Sequence, residues 1–311
     1  MGGAWSVKLA RPLDAAAAGR LAADVQAVLD ALENQLSTWR PRSDLSRFNA
    51  SPSTDWFSVS PDLAAVVVEA QRASADTDGA FDVTVGPLVN VWGFGPRRPT
   101  TGPARVPTAD AVESARADVG YALLEGRTSP PAMRKGRPSA YVDLSAIGKG
   151  YAADRVAAAL DAAGVADYLI SVGGEVRARG SSALGKPWRV GVEVPTPDVR
   201  RVLRRVELRD AGLSTSGDYR NFFDAGGHRY AHEIDPRTGR PVENGVASVS
   251  VVDASSARAD ALATALFVLG PDAGMALARS RALAAMFVLR GADRFDVRTT
   301  PEFERLLLPP E

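Results

Sequence analysis

The 311 residues contain no cysteine. That excludes disulfides, thiolate metal ligands, a cysteine nucleophile and thioether lipidation. Histidine is scarce as well: His228 and His232 are the only two, so any metal must be held mainly by oxygen. Lysine supplies four of the 37 basic residues, at Lys8, Lys135, Lys149 and Lys186. Net charge is absent, 37 acidic residues balancing the basic ones, so no global field draws the chain to nucleic acid or an anionic membrane. The arginine pairs Arg97/Arg98, Arg200/Arg201 and Arg204/Arg205 are scattered, without the basic stripe and interleaved aromatics of a nucleic-acid binder. No apolar run approaches the roughly 20 residues that span a bilayer, and the N-terminus lacks the basic start and apolar core of a signal peptide. As written, the chain is expected to be cytoplasmic, with no transmembrane segment.

What is present reads as a packed α+β protein: 45% hydrophobic and 24% charged residues, with strands and helices interspersed. A strand is expected over Trp5 to Leu9. Leu21, Val25, Val28, Leu29, Leu32 and Leu36 then recur at helical spacing within Leu13 to Leu36. The polar passage Ser37 to Ser58 reads as turns. A helix follows from Pro61 to about Ala75, with Ser60 as its cap and Pro61 at its first position. Gly and Pro crowd Val85 to Thr108, which reads as an irregular excursion, and residues 93 to 107 hold the one tempting subdivision of an otherwise single 1–311 domain. From Tyr141 onward strands are expected at YVDLS, YLISVGG, WRVGVEV, RVLRRVEL, VASVSVV and AAMFVLR. Helices are expected over Gly150 to Ala163, Ser256 to Leu269 and Asp272 to Ser280.

Three segments carry chemistry. In VDLSAIGKGYAADRVAAAL, Val142 to Leu160, an expected strand turns through Gly148 and Gly150 into a helix. Such a turn can cradle phosphate on backbone N–H groups, with Lys149 adding a full charge; it can equally be a plain strand-to-helix corner with an exposed lysine. In RYAHEIDPRTGRPV, alternation places Tyr230, His232 and Ile234 on one face of an extended run and Ala231, Glu233 and Asp235 on the other. His232 is suited to take a proton from a hydroxyl, or else ties a strand end to a turn. In SSARADALATALFVLG, Asp260 and Thr264 stand four apart on an apolar helix and so face the same way. A buried carboxylate needs a partner, and a hydroxyl beside it suits a hard cation, magnesium before zinc. Trp39 in a polar loop can stack on a flat ring or plug the core edge. Asp82, near Gly79 and Phe81, belongs to a hairpin or a ligand loop, and Gly173/Gly174 marks a bulge or a close strand approach.

In order along nearly the whole chain, MGGAWSVKL, STWRPRSDLSRFN, DGAFDVTVGPLV, VDLSAIGKGYAAD, YLISVGGEVRARG, TSGDYRNFF, HEIDPRTGRPV and RADALATALFVLG resemble the FAD:protein FMN transferase family, also called ApbE. The resemblance implies a T-fold-like protein of mixed or antiparallel sheets and packed helices. It implies FAD as substrate, magnesium at the diphosphate, and transfer of FMN to a Thr or Ser hydroxyl of an acceptor flavoprotein with release of AMP. Carried over residue by residue, Trp39 would pack on the flavin and Ala80, Phe81 and Asp82 would line the dinucleotide. Asp143 and Lys149 would contact FAD, Ile234 would offer its backbone, and His232 would be the base. Ala146, by its carbonyl, would join Asp260 and Thr264 on magnesium. An FAD pyrophosphatase and a non-catalytic flavin carrier are the alternatives. The chain departs from the family pattern at Gly3, where threonine is usual, at Ser145 and Gly148, and at Glu233, where an apolar residue commonly follows the histidine. A signal and lipobox, frequent among exported relatives, are missing; a trimmed chain would instead come from an exported protein.

Overall fold

A computed structural model describes residues 3–96, 106–197, 201–292 and 294–309. Residues 97–105, most of the passage read as a subdivision, and Arg97, Arg98 and Arg200 of the arginine pairs lie outside the described residues, as do Met1 and Gly2. The centre is a seven-stranded sheet in the order Trp5–Leu9, Tyr168–Val172, Glu175–Arg179, Gly212–Gly217, Val246–Asp253, Ala284–Arg290 and Phe295–Thr299. Every neighbouring pair in it is antiparallel. It does not close into a barrel, and helices pack beside it, which is the expected α+β class.

Both faces of this sheet are covered, which is why Val246–Asp253 is buried along nearly its whole length although it alternates valine and serine. Val249 and Val251 point into an apolar cluster with Leu262, Leu266 and Phe267 of the helix Ser256–Ser280. Ser248 and Ser250 take the alternate positions and are equally buried, and the Ser250 hydroxyl is satisfied by Thr215 Oγ1 on the neighbouring strand at 2.8 Å. On the opposite side Val176, Leu213, Met286 and Val288 pack against Trp188 and Val206 of the hairpin Trp188–Glu193/Val202–Leu208 and against Phe303. Each fully buried large apolar side chain contributes about 2 kcal/mol, so covering both faces accounts for the stability of a wide sheet.

Beyond Ser256–Ser280 a second layer follows. The helix Ala15–Leu36 begins at Asp14, whose carboxylate accepts from the Ala17 N–H at 2.7 Å, and buries Val25, Leu29, Leu32 and Leu36, the stripe its spacing predicts. It packs on the helix Gly148–Ala162, which packs in turn on Ser256–Ser280. By length and composition Ser256–Ser280 is apolar enough to cross a membrane, although Arg258, Asp260, Asp272 and Arg279 interrupt it, so it holds no unbroken apolar run of about 20 residues. In this fold 61% of its most apolar window is buried in the protein, and its two expected helices meet at a kink where Gly270 has φ 83°.

Several local expectations are corrected. YVDLS is extended and buried but joins no sheet: the side-chain amide of Asn49 takes the place of a strand partner, donating to the Val142 carbonyl and accepting the Val142 N–H, both at 2.8 Å. Within Ser37 to Ser58 a short helix, Asp44–Ala50, presents that Asn49, capped by Ser43. The Val85 to Thr108 excursion contains the helix Gly86–Val91, which Pro87 can open because the first helical positions need no N–H donor. Ser60 occupies the cap position before Pro61–Asp76, yet its hydroxyl makes no cap bond. Gly173 and Gly174 form no bulge. They are the two-residue turn of the hairpin Tyr168–Val172/Glu175–Arg179, with φ 58° and 103°, positions that strongly favour glycine.

Candidate active site

The kinked apolar helix and the Gly148–Ala162 helix meet at their N-terminal ends, and that junction founds the site. Asp154 caps the other helix: its carboxylate accepts from Ser255 Oγ and from the Ser256 and Ala257 N–H groups, each at 3.0 Å. Gly150 is needed where the helices touch, because a Cβ there would lie 2.2 Å from the Ser256 carbonyl oxygen. Asp260, one turn further on, then reaches back across the junction and accepts the Gly150 N–H at 2.9 Å. The helix end read as a phosphate cradle is therefore partly occupied by the protein's own carboxylate, while Gly148 faces open space.

Lys149 is not an exposed corner lysine. Its ammonium donates to Glu175 Oε1 at 2.5 Å and to Asp260 Oδ1 at 3.4 Å. Glu175 is the first residue after the Gly173–Gly174 turn, so the hairpin sets a buried carboxylate against the helix start. Burial pushes the Asp260 carboxyl up in spite of Lys149 beside it. Burial alone would lower Lys149, but Asp260 and Glu175 outweigh it and hold its ammonium above the ordinary lysine range. One cation thus serves two buried carboxylates, and Glu175 Oε2 has no hydrogen-bond partner among the described residues. This corner carries an excess of negative charge and suits a further cation. No cluster of three or more Asp, Glu or His side chains capable of holding a metal occurs among the described residues. A metal here would depend on mixed oxygen donors. Thr264, one turn beyond Asp260, offers a hydroxyl hydrogen-bonded to Ser216 Oγ at 2.8 Å, and Ala146 lines the same cavity.

A second side of the site rests on aromatic packing behind the cavity. The hairpin Phe222–Ala225/His228–Ala231 stacks Phe223 on Tyr230, their centroids 5.2 Å apart, and Tyr230 on Trp92 at 5.5 Å. His232 follows the hairpin, with Phe94 edge-on at 6.3 Å. Its Nε2 lies 3.7 Å from Glu233 Oε1, and its Nδ1 is buried without a partner among the described residues. The expected alternation breaks here. His232 and Glu233 bridge two short strands irregularly, so His232, Glu233 and Ile234 all line the cavity instead of dividing between two faces. Burial raises the Glu233 carboxyl above its ordinary value, against the nearby His232 and Lys149. The third side comes from Ala80, Phe81 and Asp82, of which Asp82 is neither in a hairpin nor free: its Oδ1 accepts the N–H and hydroxyl of Thr84, both at 2.7 Å. Asp143 similarly accepts the Ser145 N–H at 2.8 Å.

All eleven residues singled out above, Trp39, Ala80, Phe81, Asp82, Asp143, Ala146, Lys149, His232, Ile234, Asp260 and Thr264, line one cavity of about 420 Å³. A second hollow of about 550 Å³ shares Trp39, Asp143, Ser145 and Lys149 with it, and extends to Glu33 and Arg40. Trp39 stands between the two and is 59% exposed, so it is available for stacking and does not plug the core. Nothing in the local sequence pattern marks Ser216 or Asp154 as part of the site. Only for Glu175 is there a signal, a carboxylate opening a buried strand directly after two glycines.

The ApbE family model matches residues 1–287. A Vibrio cholerae protein named FAD:protein FMN transferase is 41% identical over 99% of this chain and 90% of its own length, and the Escherichia coli K12 protein of the same name is 38% identical over 99% and 87%. The solved flavin transferase ApbE from Vibrio cholerae superposes with a TM-score of 0.89 at 40% identity, covering 99% of this chain and 96% of that one. The apo flavinyl transferase ApbE of Pseudomonas stutzeri gives 0.86 at 42% identity, covering 98% and 94%.

Proposed function

The chain belongs to the ApbE family, and on that premise we propose that it transfers the FMN half of FAD to a Ser or Thr hydroxyl of an acceptor flavoprotein, releasing AMP, with magnesium as cofactor. The observation that carries the proposal is the single cavity lined together by a buried carboxylate–lysine corner, a histidine and Trp39. Relatives named FAD:protein FMN transferase support FAD as the substrate and a flavoprotein as the acceptor.

Trp39 offers a flat, exposed face to the flavin, and Asp143 and Ile234 border the dinucleotide. Asp260, the Thr264 hydroxyl and the Ala146 carbonyl would hold magnesium, and the unpartnered Glu175 Oε2 and surplus carboxylate charge beside them fit a cation. When bound, the ion supplies positive charge against the diphosphate oxygens. Lys149 adds a charge next to that position, held there by Glu175 and Asp260 before any substrate arrives, so little reorganisation is needed. His232, whose side chain is 35% exposed, takes the proton of the acceptor hydroxyl. The hydroxyl oxygen then forms its bond to the FMN phosphorus as the bond to the AMP phosphate breaks, and AMP leaves with the electron pair.

Incubating the protein with FAD, magnesium and an acceptor bearing a Ser/Thr flavinylation motif tests this directly. Mass spectrometry should show the acceptor heavier by one FMN and AMP released in equal amount, with His232→Ala slower by about 10²-fold. No mass gain on any acceptor, with FMN and AMP appearing free, would make the enzyme a hydrolase and sink the transfer reading. FAD bound without turnover would make it a carrier.

A further inference from the structure

Val249 and Val251 turn apolar side chains toward the helix Ser256–Ser280, but the residues registered beside them on the strand Gly212–Gly217 are Ser216 and Ser214, both buried. A hydroxyl on that side is costly unless it is bonded. Ser214 is satisfied structurally, donating to the Ser256 carbonyl at 3.4 Å. Ser216 bonds no backbone group: its one side-chain partner among the described residues is the Thr264 hydroxyl at 2.8 Å, and both residues line the cavity. Thr264 is unusual too. A threonine inside a helix commonly satisfies its hydroxyl on the carbonyl three or four residues back, here that of Ala261 or Asp260. Thr264 instead keeps its oxygen turned to Ser216.

On the reading of Thr264 as a cation ligand, we propose that Ser216 is a positioning residue that accepts the Thr264 hydroxyl proton and so keeps the Thr264 oxygen's lone pairs for a divalent cation beside Asp260. Two hydroxyls 2.8 Å apart can share their hydrogen bond in either sense. A cation decides the sense. An oxygen that gives electron density to a metal becomes more acidic and donates its proton, and the neighbouring hydroxyl accepts it. Ser216 then has its own proton left over beside the cavity, free for an anionic oxygen there. Both partners ride on regular elements, Ser216 on a strand paired with Val246–Asp253 and Thr264 on the 25-residue helix, so their separation is fixed before any ligand arrives. Without Ser216 the threonine has another choice: it turns about χ1, donates to its own helix and takes its oxygen out of the ligand position.

Manganese binding reads this without any transfer chemistry. The full chain is saturated with FAD in the absence of acceptor, manganese is titrated in, and the free ion is followed by EPR. Ser216→Ala should weaken manganese binding by about tenfold, the scale on which residues that hold a metal ligand act. Thr264→Val should weaken it more. Adding Ser216→Ala to Thr264→Val should then cost no more than about twofold, because Ser216 acts only through that hydroxyl. Ser214→Ala removes a buried hydroxyl from the same face of the same strand and should leave manganese affinity unchanged. An unchanged affinity in Ser216→Ala overturns the role of Ser216, and so does an equal loss in Ser214→Ala or a full further tenfold loss on top of Thr264→Val. If Thr264→Val weakens binding and Ser216→Ala does not, Ser216 alone loses its role and Thr264 stays a ligand. If Thr264→Val binds manganese like the wild type, or the wild type binds none, Thr264 is no ligand and both assignments fall. Should Ser216→Ala fail to fold, Ser216→Cys, whose thiol is a weak acceptor, takes its place with the same expected loss.

Discussion

On one side of the cavity Lys149, Asp260 and Thr264 ride on helices of 15 and 25 residues whose ends are tied together by Asp154; on the other, His232 and Glu233 bridge strands of four and two residues. The first wall is fixed by long elements, interhelical bonds and a glycine contact that leaves no room for a methyl group. The second is held by ring stacking among Trp92, Phe223 and Tyr230 and by single backbone bonds, such as His232 N–H to the Asn221 carbonyl at 3.1 Å. The difference matches what each side is asked to do. Charge stabilisation works best from groups that do not move, whereas the base proposed to meet an acceptor hydroxyl needs an approachable wall.

The largest expected effect falls on the rigid wall. Asp260→Asn keeps the shape and an oxygen for the Gly150 N–H but removes a charge, and kcat/KM for transfer should fall by about 10³-fold, roughly 4 kcal/mol. Steady-state assays of FMN transfer over a magnesium series check it. A loss smaller than that of His232→Ala would break the assignment of electrostatic work to this side. Next comes Asp154→Ala, which removes three hydrogen bonds from a helix start without touching the cavity. It should cost about 2 kcal/mol of stability, read as a melting temperature lower by several degrees, and reduce activity through misplacement of Asp260. Unchanged activity at a lowered melting point would mean that the helix junction is not what positions the site. Trp39→Ala sharpens the contrast from the open side. With the indole 59% exposed, stability should stay within about 0.5 kcal/mol while FAD binding measured by titration weakens roughly tenfold.

How much could be read in advance follows the same division. Asp260 and Thr264 are four apart on a periodic apolar helix, and Val25, Leu29, Leu32 and Leu36 announce their buried stripe, because helical spacing fixes which side chains share a face. Where the chain is irregular, local pattern fails. YVDLS has the composition of a strand, yet it lacks a strand neighbour and is satisfied by Asn49, 93 residues distant in sequence. His232 and Glu233 were assigned to opposite faces by an alternation that holds only inside a regular strand. Lys149 looked like a free phosphate ligand because its partners, Glu175 and Asp260, are 26 and 111 residues away. Pairings of that kind are tertiary facts that no local window contains.

The smallest expected effect concerns a carboxylate between the two walls. Asp82 is buried, and burial raises its carboxyl from the ordinary value of 3.8, only partly offset by the Thr84 hydroxyl and N–H. An acid whose folded pKa is raised contributes its full stability below the unfolded value, where both states hold the proton. As pH climbs from 3.8 toward the raised value the unfolded chain loses its proton before the folded one, so stability declines across that window and is flat above it. Asp82→Asn keeps an oxygen that can accept both Thr84 bonds and carries no proton to lose. Its stability relative to the wild type should therefore improve between pH 4 and pH 7 in chemical denaturation. An unchanged difference across that range would show that solvent or a cation reaches Asp82 more freely than its burial implies, placing it with the open wall and not with the rigid one.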